Sequence, residues 1–477
     1  MLTSPALNEH IDSYYAASRH LKTQYPQLTG RIEVDTCIIG GGLAGIGAAL
    51  PLAKQGHSVA VLEAARIGFG ASGRNGGQAI TSYACEMEYL QEQLGLQDAQ
   101  KLWQWSIDAV NLIENQVNEY GIDCDWQRGY TSVAIGNKKW DELQAYREYM
   151  RQTYGYEGYE VWERPKLKQH LKSDRYTGGI YDTDSGHVHP LNYCLGLAAA
   201  AATHGAQLFE QSFVSDIQPQ AGKWRITTAQ GEVLAKNVVL ACNVFAGVLK
   251  QSSYMQTLAD KIMPVGTYVI ATEPLGERAN DTINNNMAVC DTNFVLDYYR
   301  LSGDKRMLFG GKVSYSGQTP KDLANAMRSD MLRVFPHLAD VKIDYAWGGF
   351  VDITMNRAPH FGGLAPGLMF LQGFSGHGVA LTGLAGLVTA EKILGAPERF
   401  DLFSKLKHRS FPGGPYLRTP TLVLGMGWYR LKDYLKYYPH TPLKRLPLCG
   451  HFCIYRTHKR WITMHTFILK TMNKRLP

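Results

Sequence analysis

Apolar and polar positions are most sharply ordered between residues 31 and 63. Residues 34–39 are mostly apolar and β-branched, the pattern of a strand buried on both faces of a parallel sheet. From Leu43 to Gln55 apolar side chains recur at helical spacing, and residues 58–62 form a second short apolar run that stops at Glu63. The pattern predicts strand, turn, helix and strand in that order. A related pattern returns far along the chain. Residues 369–372 read as a strand, residues 373–378 as a glycine turn, and residues 379–394 as a helix of Ala, Leu, Gly and Thr. Between the two, residues 192–204 predict an alanine-rich helix, and residues 207–242 alternate in β fashion up to the apolar run 238–241. Residues 266–271 and 306–309 predict further strands, and residues 86–182 bring helices rich in Gln, Glu, Trp and Tyr before mixed segments. No internal repeat is visible.

The turns carry the first chemistry. Residues 40–45 read G-x-G-x-x-G, with an acidic residue 18 positions after the third glycine. Gly40 permits a tight turn, Gly42 lets backbone approach a pyrophosphate, and Gly45 lets helix and strand pack closely. The helix start offers unpaired N–H groups to phosphates. Glu63 can accept hydrogen bonds from adenosine ribose hydroxyls, which argues against a 2′-phosphate. This unit alone does not separate FAD from NAD. Residues 66–78 hold five glycines in thirteen positions, too many for a good helix or strand. An extended loop against the same ligand is expected, with Ala71, Ser72, Arg74, Asn75, Gly76, Gly77 and Gln78 as its contacts. At the third turn, Gly376, His377 and Gly378 open a helix whose N-terminus favours negative charge on a ligand. A reduced flavin carries such charge, and a nicotinamide does not. His377 is expected either to touch the cofactor ring or to cap the helix.

Composition narrows the class. The chain has 477 residues, room for two domains, with 45% apolar and 19% charged residues. The net charge of +7 misleads, because residues 434–477 hold nine Lys and Arg and no Asp or Glu. The body keeps 40 basic and 42 acidic residues, and gives no nucleic-acid signal. The eight cysteines are scattered, as in a reducing compartment. With no signal-peptide pattern and no apolar run of spanning length, a cytoplasmic protein is expected. In the tail, Cys449, Cys453, His458 and His465 depart from zinc-ligand spacing, so no metal site is expected. An apolar run at 461–469 with flanking Lys and Arg offers peripheral membrane contact as a minor alternative.

Taken together, the 40–63 unit, GFGASGRNGGQ at 68–78, VVLACN at 238–243 and GFSGHGVALTGLAG at 373–386 resemble the D-amino-acid-oxidase-like flavoproteins. The resemblance runs from about residue 12 to 435, including SYYAAS at 13–18 and the stretch from FPGGPYLRTP to WYRLKDYL at 411–435. It implies an α/β fold: a Rossmann-like FAD-binding domain with a second, sheet-rich α+β substrate domain. The first would comprise residues 1–85, 183–254 and 350–435, and the second 86–182 and 255–349, leaving 436–477 as a basic tail. It also implies oxidation of an amine, γ-glutamylputrescine or similar, by hydride transfer to FAD, with imine hydrolysis to an aldehyde and O2 or another acceptor taking the electrons. Several members hold FAD covalently through Cys or His; the 72–78 loop has neither, so non-covalent FAD is expected. In sarcosine-oxidase-like relatives a lysine placed like Lys312 assists oxygen reduction. Tyr298, Tyr299 and Arg300 are placed to reach a substrate, the arginine by pairing with a carboxylate, and Trp347 to shape the pocket. The rival activity is a secondary-amine or D-amino-acid oxidase or dehydrogenase. A flavin-binding protein docked through its tail on a membrane or RNA is the rival of another class.

Overall fold

The computed structural model describes residues 8–248, 253–293, 295–314 and 319–412, with backbone alone at 247, 248, 253 and 312. All of them lie in one unit, residues 1–423. The apolar run at 34–39 is the second half of the strand Gly30–Ile39, near the middle of an eight-stranded sheet. This strand pairs in parallel with Gly231–Leu240 on one side and Val59–Leu62 on the other. Leu368–Gln372 and Gln207–Phe209 extend the parallel order outward. Side chains alternate between two cores, which explains why the strands show no polar face. Ile38, Val61 and Val239 pack under the helices Leu43–Lys54, Pro190–Thr203 and Gly378–Ile393. Cys37, Ala60 and Val238 face the antiparallel pair Val214–Gln220 and Lys223–Thr228. Each fully buried Val or Ile contributes roughly 1.5–3 kcal/mol.

The second sheet has nine strands. In order across it run Ile343–Thr354, Ile262–Thr272, Met307–Ser314, Tyr298–Leu301, Ala288–Asp291, Gln127–Ala134, Gly178–His187 and Gln78–Ala79, with Tyr159–Glu163 also on Gly178–His187. Neighbours are antiparallel except Ala288–Asp291 beside Gln127–Ala134, where the two chain segments expected to build this sheet meet in parallel. The helix Leu323–Val334 covers its outer face through Met327 and Met331. Two expected boundaries fall inside strands: Gly178–His187 runs across 182/183, and Ile343–Thr354 across 349/350. Continuous strands, not linkers, join the halves. Residues 436–477, with Cys449, Cys453, His458 and His465, lie outside the described residues. Among the described residues no single helix is long and apolar enough to cross a membrane.

Candidate active site

The first glycine turn is shaped by close backbone contacts. Gly40 adopts φ +116°, its N–H donates to the Leu62 carbonyl at 2.9 Å, and any Cβ there would overlap the Ala241 carbonyl oxygen. Gly42 is the N-cap of the helix Leu43–Lys54 and has no side chain to cap it. Ser72 does so instead: the Leu43 N–H donates to its Oγ at 2.9 Å, and a Cβ on Gly42 would come within 2.8 Å of that oxygen. Gly45 backs onto the Gly40 carbonyl, so it sets helix–strand packing and does not face the cleft. The Glu63 carboxylate accepts from the N–H of Gly41 at 2.8 Å and of Ala65 at 2.9 Å. Burial pushes its pKa up, and those two N–H groups oppose the rise.

The second loop is tied to the first by side chains. Asn75 donates from Nδ2 to the Ala71 and Ser72 carbonyls, and its Oδ1 accepts from the Gly77 N–H at 2.7 Å. Arg74 donates to the Phe69 carbonyl at 2.7 Å and lies 4.4 Å from the centre of the Phe69 ring. At the third turn, the Gly373 N–H donates to the carboxylate of Asp352, and the Ser375 N–H to the Asp352 carbonyl at 3.1 Å. Asp352 is buried, and burial pushes its pKa up to about 6.

These turns enclose one cleft of about 1560 Å³, its mouth included, at the carboxyl ends of the parallel strands. Gly40, Gly42, Glu63, Ala71, Ser72, Arg74, Asn75, Gly376 and Gly378 all line it. The sequence reading missed residues 212–214, 242–245 and 350–352, and Thr382. Part of their signal was present, since 212–214 and 242–245 each closely follow the end of a parallel strand. The remaining expected contacts stand behind the cleft. Gly76 lies under the Tyr298 ring and Gly77 on the Arg300 guanidinium, while Gln78 joins the second sheet and donates to the Val289 carbonyl at 3.0 Å. His377 occupies the N-cap of Gly378–Ile393 without a side-chain cap bond, and burial lowers its pKa to about 4.

The expected substrate contacts need correction. Arg300 is buried, and its guanidinium donates to the carbonyls of Gly76, Val188 and Leu301 and to the Tyr15 hydroxyl. These four bonds leave a single buried Nη1 hydrogen, and no pair of N–H groups, for a substrate carboxylate. Tyr299 points to the other side of the sheet, stacked on Phe309 at 5.4 Å and bonded to the Tyr176 hydroxyl at 2.9 Å. The residue facing the glycine loop is Tyr298, whose ring covers Gly76 and Gly310 and whose hydroxyl lies 3.2 Å from Thr267 Oγ1. Trp347 is buried and donates from Nε1 to the Arg74 carbonyl at 3.0 Å, holding the loop from behind. Lys312 sits where the register between Ile262–Thr272 and Met307–Ser314 shifts; its side chain lies outside the described residues.

A family model described as FAD dependent oxidoreductase matches residues 35–392, most of the chain and every turn of the cleft. The chain belongs to this family. It is 46% identical over 429 residues to a probable oxidoreductase, OrdL, of Haemophilus influenzae, covering 90% of this chain and 98% of that protein. It is 40% identical to the gamma-glutamylputrescine oxidoreductase of Escherichia coli over 90% of this chain and 100% of the relative. Among solved structures, glycine oxidase from Geobacillus kaustophilus superposes with a TM-score of 0.65 at 23% identity, covering 79% of this chain and 100% of the other. The fold is therefore that of a FAD dependent oxidoreductase, an enzyme whose cofactor is FAD. The cleft fits that group. Its glycine turns leave backbone room where a Cβ would collide, and its lining runs continuously past all three of them, as an extended dinucleotide requires. Gly40, Gly42 and the start of Leu43–Lys54 would hold the pyrophosphate, and Glu63 the ribose.

Proposed function

We propose that this enzyme oxidises the C–N bond of an amine, γ-glutamylputrescine or a close analogue, holding FAD non-covalently. Bound FAD supplies the acceptor for a hydride from the carbon bearing the amine, and O2 takes the electrons and two protons to give H2O2. Water then hydrolyses the released imine to an aldehyde. The protein's own part is to hold the chain of the substrate and keep the reacting carbon in place. Tyr298, whose ring covers Gly76 and packs on Tyr130 and Cys290, is the aromatic side chain placed beside the glycine loop for the methylene chain of a diamine. Non-covalent FAD agrees with Cys242, the cysteine among the described residues lining the cleft, whose thiol burial pushes up to about 12, away from the thiolate. The observation that carries the proposal is end-to-end similarity to the E. coli gamma-glutamylputrescine oxidoreductase.

The test is anaerobic addition of γ-glutamylputrescine to purified protein, with glycine, sarcosine, a D-amino acid and free putrescine in parallel. Bleaching of the flavin band by γ-glutamylputrescine at the lowest concentration is expected, with peroxide appearing when air is admitted. Preferential bleaching by sarcosine or a D-amino acid would transfer the assignment to the rival amine and amino-acid oxidases. Acid precipitation is expected to leave the flavin in the supernatant.

A further inference from the structure

Arg300 is the largest of the fully buried side chains, at 1% exposure. A guanidinium is permanently charged, and an interior charge is costly unless paired. Yet among the described residues no carboxylate lies within ion-pair distance of it. Its partners are neutral: Gly76 O at 2.8 Å, Val188 O at 2.7 Å, Leu301 O at 3.0 Å and Tyr15 Oη at 3.2 Å. Neutral donors would satisfy the same acceptors at a lower desolvation cost, so a charge without an ion-pair partner itself calls for a role.

Its position supplies one. The Gly76–Gly77 peptide is held at both ends: its oxygen accepts from Arg300 Nε, and its N–H donates to Asn75 Oδ1 at 2.7 Å. Hydrogen bonds linked through one peptide polarise and strengthen each other. Gly77, at φ +75°, lies so close that a Cβ would come within 2.6 Å of the guanidinium. Asn75, at the far end of this relay, lines the cofactor cleft. Tyr15 and Trp347, in edge contact at 5.2 Å, pack behind, where a charge is screened less than in water. The field is visible on His187 and His189, whose pKa values burial first and then Arg300 lower to about 3.

We propose that Arg300 is a positioning residue whose charge, held out of ion-pair contact and relayed through the Gly76–Gly77 peptide to Asn75, favours the added negative charge of reduced flavin. The inference rests on the FAD cofactor of the family and not on the identity of the amine, so its test uses no substrate. Wild-type, Arg300→Lys and Arg300→Gln holoproteins are compared by flavin midpoint potential against reference dyes, FAD dissociation constant, and thermal unfolding of the apoproteins. Arg300→Gln is expected to make the flavin harder to reduce. Arg300→Lys is expected to keep the potential, because the charge stays in place. A merely structural arginine would lower apoprotein stability in both variants and leave both potentials at the wild-type value, and that result overturns the proposal. Asn75→Ala cuts the relay without disturbing the buried cation, and serves if Arg300→Gln fails to fold. Its potential is expected to fall, and an unchanged value there overturns the proposal equally.

Discussion

A carboxyl group that must leave water to fold keeps its proton to a higher pH, and Asp297 shows what this does to stability. Burial first, then the neighbouring Asp291 carboxylate, raise its pKa to about 7, against the pull of Arg175 at 3.5 Å. The unfolded group titrates near 3.8, so between about 4 and about 7 the native state binds the extra proton. The stability this carboxyl contributes is therefore present at low pH and lost as pH rises through that window. Asp297→Asn is expected to match wild type near pH 4 and to be more stable by about 1–3 kcal/mol at pH 8. Urea melts at the two pH values measure this; a variant weaker than wild type at pH 8 contradicts it. The same scale shows what a sequence hides. Arg300 reads as a carboxylate partner because charge is visible in a sequence and partners are not. Its acceptors come from residues 15, 76, 188 and 301, and three of the four are backbone oxygens. Tyr298 and Tyr299 look equivalent until strand alternation sends one to the glycine loop and the other to the outer core.

At the scale of elements, the two cofactor-facing helices meet backbone to backbone. A Cβ on Gly47 would lie 3.2 Å from Gly383 Cα, and one on Gly386 would overlap the Gly47 carbonyl carbon and lie 2.5 Å from the Ala48 nitrogen. Backbone cannot move aside as a flexible side chain can. Gly386→Ala should therefore cost about 1–3 kcal/mol in a urea melt and loosen FAD binding, because both helices begin at the cleft. Gly363→Ala is the control: a Cβ there meets nothing within 4 Å, and a change within about 0.5 kcal/mol is expected. If the two variants melt alike, the crossing is less tight than its geometry implies. Both turn–helix units were legible in the sequence because their information is local: a short apolar run, glycines at fixed offsets, then helical spacing. That the glycines at 383 and 386 serve this crossing was not legible, since the partner helix lies over 300 residues away. Nor was it legible that an antiparallel pair, 214–228, covers the far face of the first sheet, because alternating strands do not state what they cover.

For the whole molecule, the chain passes between two sheets, and every described residue lining the cleft falls between 39 and 382. The nine basic residues of 436–477 account for all the excess positive charge. Deleting 436–477 is expected to leave flavin content per chain, FAD dissociation constant and turnover within twofold of wild type. If deletion empties the flavin site, the account of a self-contained cleft fails; if it removes only binding to anionic vesicles or RNA, the tail is a docking element and the enzyme stands without it. The opposite end should behave differently. Tyr14 donates to Asp304 at 2.7 Å, and Tyr15 is fully buried against Arg300, Trp347 and His189, a contact between residues 285 positions apart in the case of the arginine. Removing residues 1–18 would open the buried cation to water and free the Trp347 indole that holds the Arg74 carbonyl. A drop of several degrees in melting temperature and loss of bound flavin on gel filtration are expected, because Tyr15 packs on both Arg300 and Trp347, the two residues that hold the Gly76 and Arg74 carbonyls. Flavin retained at full occupancy after that deletion would show that the loop holds its shape without Tyr15.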